Sequence, residues 1–231
     1  METSQDFESS LEASWPQILL DQIGRMEGLI LFSGTRQAEP LAVIKAVRRQ
    51  HPGKKIFITQ TLEAHVQSRE FESADIIIYH GLCDRESMLT LLGVCEEGRL
   101  VVQIVMAPSV ISATHKVMTA LVGQGETHLL WRFVDQLSLL VNQMQVVSTQ
   151  GSALTIHEMI LGTPKIKQLL LDKKMSEIET VLKESNEDRG MVSFNQVLLK
   201  LLIRRKIDLK AAFLKTRDPE HLDQLLKSVG V

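Results

Sequence analysis

In "GLILFSGTRQAEPLAVIKAV", residues 28–47, an apolar run from Leu29 to Phe32 leads into Ser33–Gly34, and a second apolar, helix-like stretch begins seven residues later. A phosphate-binding loop has that outline. Such a loop works through glycines that let backbone N–H groups close around phosphates, a Lys that reaches the β- and γ-phosphates, and a Ser or Thr hydroxyl on Mg²⁺. Of these groups Gly34 stands. Gln37 and Glu39 occupy places where glycine is wanted, Pro40 the place of the Lys, and Leu41 the place of the hydroxyl. Glu39 would set a carboxylate against a polyphosphate. Pro40 removes a cation and a backbone donor together, and Leu41 cannot hold a metal. Each lost charge-assisted contact is worth roughly 1.5–3 kcal/mol, so the segment reads as a strand–turn–helix junction with little nucleotide affinity.

A second group is His80, Cys83 and Asp84, which follow the apolar run "ADIIIYHG" at 74–81. The carboxyl ends of strands are where sites form in open α/β sheets, so a Cys–His nucleophile is conceivable. No oxyanion donor or orienting partner is evident for it. The two cysteines, Cys83 and Cys95, have no CxxC spacing and no paired histidines nearby. That pattern suggests a reducing compartment and argues against a metal site. Trp15 and Trp131 sit at helical spacing and read as core or interface residues.

The elements that must position these groups alternate. Helical spacing of Leu11, Trp15, Ile18, Leu19 and Ile23 predicts a first helix ending at Gly24. Strands follow at Leu29–Ser33, 56–59, 74–81 and 99–106, with helices at 40–50, 85–98, 109–122 and 127–140 between or after them. "NQMQVVSTQGSALTIHEMIL" predicts two strands around a Gln150–Gly151 turn. Beyond it the chain reads as all helical, with caps at Thr163–Pro164 and Asp218–Pro219. The apolar stripe Phe194, Val197, Leu198, Leu201 and Leu202, and the run Leu222, Leu225, Leu226 and Val229, are expected to be buried. Fully apolar strands alternating with helices point to βαβ units and a mostly parallel sheet.

Composition agrees with a soluble globular chain: 231 residues, 44% apolar, 23% charged, formal net charge −2. No excess positive charge calls for nucleic acid, and the local cluster "IRRK" at 203–206 reads as helix-surface charge. No apolar run approaches the roughly 20 residues that span a bilayer. The acidic, polar start "METSQDFESSLEAS" is unlike a secretory signal. A cytoplasmic location is expected, with the cytoplasmic face of the inner membrane as a further option.

These segments, in this order, resemble a known family, the type IV pilus and secretion motor ATPases, and most closely the PilT-like retraction ATPases. "ALTIHEMILGTPKIKQLL" (153–170) is similar to the family's HEIMIGTPAIRNLI segment, "ADIIIYHGLCDRESM" (74–88) to its Walker B segment, "EGRLVVQIVMAPS" (97–109) to its His box, and residues 28–47 to its Walker A segment. "GMVSFNQVLLKLLIRRKIDLKAAF" and "DPEHLDQLL" resemble the family's tail. The resemblance covers about 28–231 and implies a RecA-like, P-loop-type α/β fold with an appended C-terminal helical subdomain. The expected organisation is an N-terminal tail and helix at 1–27, a RecA-like domain at 28–160, and a helical subdomain at 161–231. Only 27 residues precede the first strand, so the family's N-terminal PAS-like domain is expected to be absent, which removes the usual source of trans arginines and argues against independent formation of the usual hexamer.

Set on the family's pattern, the departures fall on the chemistry. Beside Gly34, Gln37, Glu39, Pro40 and Leu41, the acidic pair of the family's Asp box is Gln60 and Thr61 here. Asp75 opens the Walker B strand as in the family, but the catalytic Glu is Gly81, and the two His-box histidines are Arg99 and Met106. His157 and Glu158 match the family's own pair and are expected to serve structure or interdomain contacts. Losing the cation, the metal ligand and the water-activating carboxylate removes the main electrostatic contributors to phosphoryl transfer. The chain is therefore expected to have no catalytic residues, no cofactor and no metal. Its expected role is binding, as an adaptor, regulator or structural partner of a pilus or secretion motor ATPase, platform protein or regulator, with self-association open. The alternatives are a weakly ATP-binding subunit of a mixed motor ring and an α/β module repurposed for an unrelated ligand.

Overall fold

The computed structural model describes residues 17–34, 40–121, 127–184 and 190–230, with backbone alone at 40–42. Among these residues, seven strands form one sheet in the order β2-β3-β4-β1-β5-β6-β7. The strands are β1 (Gly28–Gly34), β2 (Ile56–Thr59), β3 (Ile76–Tyr79), β4 (Leu100–Met106), β5 (Leu137–Val147), β6 (Ala153–Leu161) and β7 (Met191–Val192). The pairs β2–β3, β3–β4, β4–β1 and β1–β5 are parallel, while β5–β6 and β6–β7 are antiparallel.

Side chains alternate between two buried faces. Ile30, Phe32, Ile76, Ile78, Leu100 and Val102 meet Leu19 and Ile23 of α1 (Gln17–Gly24) and Val43 and Val47 of α2 (Pro40–Gln50). Leu29, Leu31, Ile77, Tyr79 and Val101 meet the buried faces of α4 (Arg85–Glu96), α5 (Val110–Leu121) and α6 (Thr127–Gln136). A strand covered on both faces is apolar at every position, which is why these runs carry no period-2 polar signal. A short α3 (Arg69–Glu72) stands between β2 and β3.

Helix ends follow local chemistry. The α4 helix closes on Gly98 at φ +79°, with Gly98 N–H bonded to Cys95 O and Arg99 N–H to Val94 O. Helices α7 (Pro164–Leu171) and α11 (Pro219–Ser228) begin at Thr163 and Asp218, whose side chains accept from Ile166 N (3.4 Å) and His221 N (3.0 Å). These are the caps that the sequence predicts.

Two secondary-structure expectations fail. Residues 127–140 do not form one helix, because α6 stops at Gln136 and Leu137–Leu140 open β5 against β1. The apolar run suits either state by periodicity, and pairing along β1 decides it. Nor is the chain after the hairpin all helical: Met191–Val192 add β7 to β6. Ile166, Leu169 and Leu170 of α7, with Ile178 and Leu182 of α8 (Met175–Glu184), share the core beneath the sheet. The far end of the hairpin, Met144, Val146 and Ile156, forms a separate core with α9 (Phe194–Ile203), α10 (Leu209–Lys215) and α11. In that core Leu222 and Leu226 are buried as expected, whereas Val229 is exposed. The part of the expected first helix before Gln17, Trp15 included, lies outside the described residues.

Candidate functional site

Parallel register brings the carboxyl ends of β1 to β4 to one edge. Gly34 pairs with Met106 and Tyr79 with Gln103. Gly34, Gln60–Thr61, His80–Gly81 and Met106 therefore collect where nucleotides bind in open α/β sheets. Gly34 O accepts from Ala107 N at 3.1 Å, and Thr59 Oγ1 turns the chain by bonding both the N–H and the carbonyl of Thr61 at 3.0 Å. Gln37 and Glu39 lie outside the described residues, as do the side chains of Pro40 and Leu41 at the start of α2.

Asp75 and Arg99, grouped with these positions in sequence, sit at the opposite, amino edge. They precede strands β3 and β4, and the four residues of β3 put about 13 Å between that edge and the carboxyl ends. Asp75 accepts from Lys55 N (2.9 Å) and Lys54 Nζ (3.3 Å), and these donors hold its carboxyl below the ordinary range. Arg99 donates to Phe71 O (3.1 Å) and Ala74 O (3.3 Å) and covers the Phe71 ring. Both residues tie loops down at the amino edge. Strand length and direction separate them from the cleft, which sequence proximity to a motif does not register.

Gly81 has no space for a side chain. A Cβ there would lie 2.0 Å from Gln60 O, 2.4 Å from Tyr79 Oη and 2.6 Å from Tyr79 Cε2. The phenol is itself pinned, bonded to Leu82 O and Ser87 Oγ at 3.1 Å each. His80 N–H donates to Thr59 O, tying the β3 end to the β2 end. The position that holds the catalytic Glu in the resembled family is thus closed by backbone on one side and a buried tyrosine on the other.

Beside it an open cleft of about 700 Å³ runs between the start of α4 and the face of α5, lined by Leu82, Cys83, Arg85, Met106, His115 and Lys116. Leu82 and Met106 stand 77% and 52% exposed at its rim. Lys116 Nζ donates to Met106 O at 2.5 Å. Burial, with the Asp84 charge adding to it, pushes the Cys83 thiol up to about 11, opposite to what a nucleophile needs. Asp84 is occupied as the N-cap of α4, accepting from Ser87 N at 2.8 Å. The His80–Cys83–Asp84 group is a strand end and a helix cap. Among the described residues no cluster of three or more His, Cys, Asp or Glu could hold a metal.

A polar cluster lies one strand over, and sequence reasoning left most of it unassigned. Ser33 Oγ donates to Val141 O (2.9 Å), while Asn142 Nδ2 donates to Ser33 Oγ (2.8 Å) and Ala107 O (3.0 Å). On the same face of β5 and β6, Glu158 accepts from Val110 N at the start of α5 (3.3 Å) and from the backbone of Phe194 at the start of α9. Burial raises its pKa. Arg217 reaches Asn142 Oδ1 and lies over the Phe194 ring, 5.0 Å from its centre. Glu158, Phe194 and Arg217, with Lys183, Asn195 and Asp218, line a cavity of about 210 Å³. The available signal was polar residues interrupting apolar strands, Asn142–Gln143 and His157–Glu158. Because Glu158 joins the sheet to two helix N-termini, Glu158→Ala leaves two buried donors unmet and is expected to lower stability by about 3 kcal/mol. Glu158→Gln, which keeps an acceptor, should cost less than half of that in urea unfolding. Equal losses in the two variants would count against this role. Trp131, expected in a core or interface, is 57% exposed on α6.

No family model matches the chain. The type IV pilus retraction ATPase PilT of Pseudomonas aeruginosa is 21% identical over 199 residues, an alignment covering 82% of this chain and 57% of that protein. The chain thus spans little more than half the length of this relative. A crystal structure of the pilus retraction motor PilT with bound ADP superposes with a TM-score of 0.78 at 18% identity, over 91% of this chain and 67% of that one. The ATPase DotB of Legionella pneumophila gives 0.75 at 11% identity, over 89% and 64%. In sequence this chain is similar to the pilus retraction ATPase PilT, and its RecA-like α/β fold is similar to the folds of the PilT and DotB ATPases.

Proposed function

We infer that this chain is a non-catalytic relative of the retraction motors, which keeps a motor-like surface for a protein partner and does not turn over ATP. The observation that carries the reading is the packing at Gly81. A carboxylate that orients an attacking water needs a side chain at that point, and Gln60 O and Tyr79 Oη occupy the space at 2.0 and 2.4 Å. The sequence adds Pro40, Leu41, Gln60 and Thr61 at the places of the Lys, the Mg²⁺ ligand and the acidic pair.

The role that fits is an adaptor, regulator or structural partner of type IV pilus or type II secretion machinery, working beside a true motor ATPase or its platform at the cytoplasmic face of the inner membrane. The purified chain titrated with Mg-ATP is expected to show no rise in melting temperature, because a ligand that binds the native state at 100 times its Kd adds about 2.7 kcal/mol. Phosphate release should stay at the buffer rate. A saturable rise in melting temperature, or phosphate release that scales with protein, overturns the reading.

A further inference from the structure

The cluster "IRRK" (203–206), which reads in sequence as helix-surface charge, continues in space into α10. Arg204, Arg205, Lys206, Lys210 and Lys215 are all exposed. Among the described residues none of the five makes an ion pair. Interleaved with them are exposed apolar side chains: Ile203 at 56%, Leu209 at 50%, Phe213 at 41% and Leu214 at 73%. On α10, Leu209, Phe213 and Leu214 fan over one side of the helix, while Ala212 packs inward. The whole chain carries a formal charge of −2, so this is a local excess of cations on an otherwise slightly acidic protein.

The surroundings add little negative charge. Thr149 of the β5–β6 turn bonds Lys206 O through its N–H (2.9 Å) and Arg205 O through its hydroxyl (3.3 Å). Residues 147–152 of that turn carry no charge, and Val147 is 56% exposed beside it. Of the nearby carboxylates, Asp208 caps α10 by accepting from Ala211 N, Asp218 pairs with Lys183, and Asp223 pairs with Lys227. Within residues 203–230, Glu220 on α11 is the remaining carboxylate.

We propose that Ile203–Lys215 is a docking surface for an anionic lipid bilayer. The apolar side chains enter the boundary between headgroups and acyl chains, and the lysines and arginines meet the headgroup phosphates. Basic residues alternating with Phe and Leu on a short amphipathic stretch match that interface at every point without a shaped partner. A folded protein partner fits the pattern less well, because the centres of protein interfaces are depleted in lysine. The α9 helix ends with Arg205 N–H bonded to Leu202 O and Lys206 N–H to Leu201 O, a close that places Arg205 at φ +54°, where glycine is favoured. This inference does not depend on whether the chain hydrolyses ATP.

The test is co-sedimentation of the full chain with vesicles rich in phosphatidylglycerol, with pure phosphatidylcholine vesicles and immobilised polyglutamate as parallel arms. Binding to the anionic vesicles at low salt, weakened by added salt and absent on phosphatidylcholine, is the expected result. The double change Phe213→Ser, Leu214→Ser should lower the anionic-vesicle partition about tenfold, as expected for withdrawing two apolar side chains from the interface. Arg205→Gly should lower it about fivefold through one lost cation, while its melting temperature holds or rises because the left-handed backbone is relieved. That second variant separates lost charge from lost folding. No sedimentation with the anionic vesicles overturns the proposal. So does binding to polyglutamate alone, which would mark an acidic protein partner, and so does vesicle binding that neither variant weakens.

Discussion

Gly81→Glu, the change that would set a carboxylate at the place of the resembled family's water-activating Glu, is expected to destabilise the chain and to produce no ATPase activity. The first atom of any side chain there meets Gln60 O at 2.0 Å and Tyr79 Oη at 2.4 Å. The carbonyl belongs to the backbone beyond β2, and the tyrosine is held by Leu82 O and Ser87 Oγ, so neither can swing aside as a flexible side-chain end would. Forcing atoms into such packing costs about 1–3 kcal/mol and occasionally more, and the upper end of that range is expected here. Gly81→Ala separates sterics from charge, since it introduces the same Cβ without the carboxylate and should cost most of the same stability in urea unfolding. If Gly81→Glu unfolds at the wild-type midpoint, the strand ends open freely and the packing argument for a non-catalytic site fails. Combining Gly81→Glu with Pro40→Lys, Leu41→Ser and Tyr79→Phe should still yield no phosphate release, because Gln60 O and the ring at position 79 would remain in the way of the new side chain.

Acid should unfold this protein earlier than a variant lacking His157. The imidazole is buried on β6, and burial lowers its pKa to about 4. The folded protein binds this proton less readily than the unfolded chain, whose histidine titrates near 6.5. The stability it contributes is therefore fully present above about pH 6.5 and is lost as pH falls toward 4. At about 1.4 kcal/mol per pH unit, the loss amounts to about 3 kcal/mol over that window. The neighbouring Glu158 acts with the opposite sign. Its raised pKa makes its contribution greatest at low pH and smaller as pH rises through the raised value. The two partly offset in the wild type, so the informative quantity is the difference between wild type and His157→Gln. That difference should narrow as pH falls from 6.5 to 4 in urea melts. A difference that stays constant across the window would mean that the ring is not held neutral.

The buried polar groups Ser33, Asn142 and Glu158 tie β1, β5 and β6 to α5 and α9. They serve packing between sheet and helices.

Much of this was legible in the residues themselves. Unbroken apolar runs such as Ile76–Tyr79 and Leu100–Val102 are what strands covered on both faces must be. Thr163–Pro164, Asp218–Pro219 and Gly98 mark helix ends through bonds made within a few residues of each other. Such signals are local, so a linear chain can display them. Tertiary structure decided the matters that depend on distant partners. Pairing with β1 turned Leu137–Leu140 from helix to strand, and pairing with β6 made a strand of Met191–Val192. Strand direction placed Asp75 and Arg99 on the edge away from the cleft, although each lies in a motif with residues that do reach it. Gly81 shows the same division. Sequence shows a glycine where the resembled family has a carboxylate, but only the approach of Gln60 O from the backbone after β2 shows that a side chain does not fit there. Composition and periodicity report what each residue prefers, whereas close approach between chain segments depends on register and sheet order, which no single segment encodes.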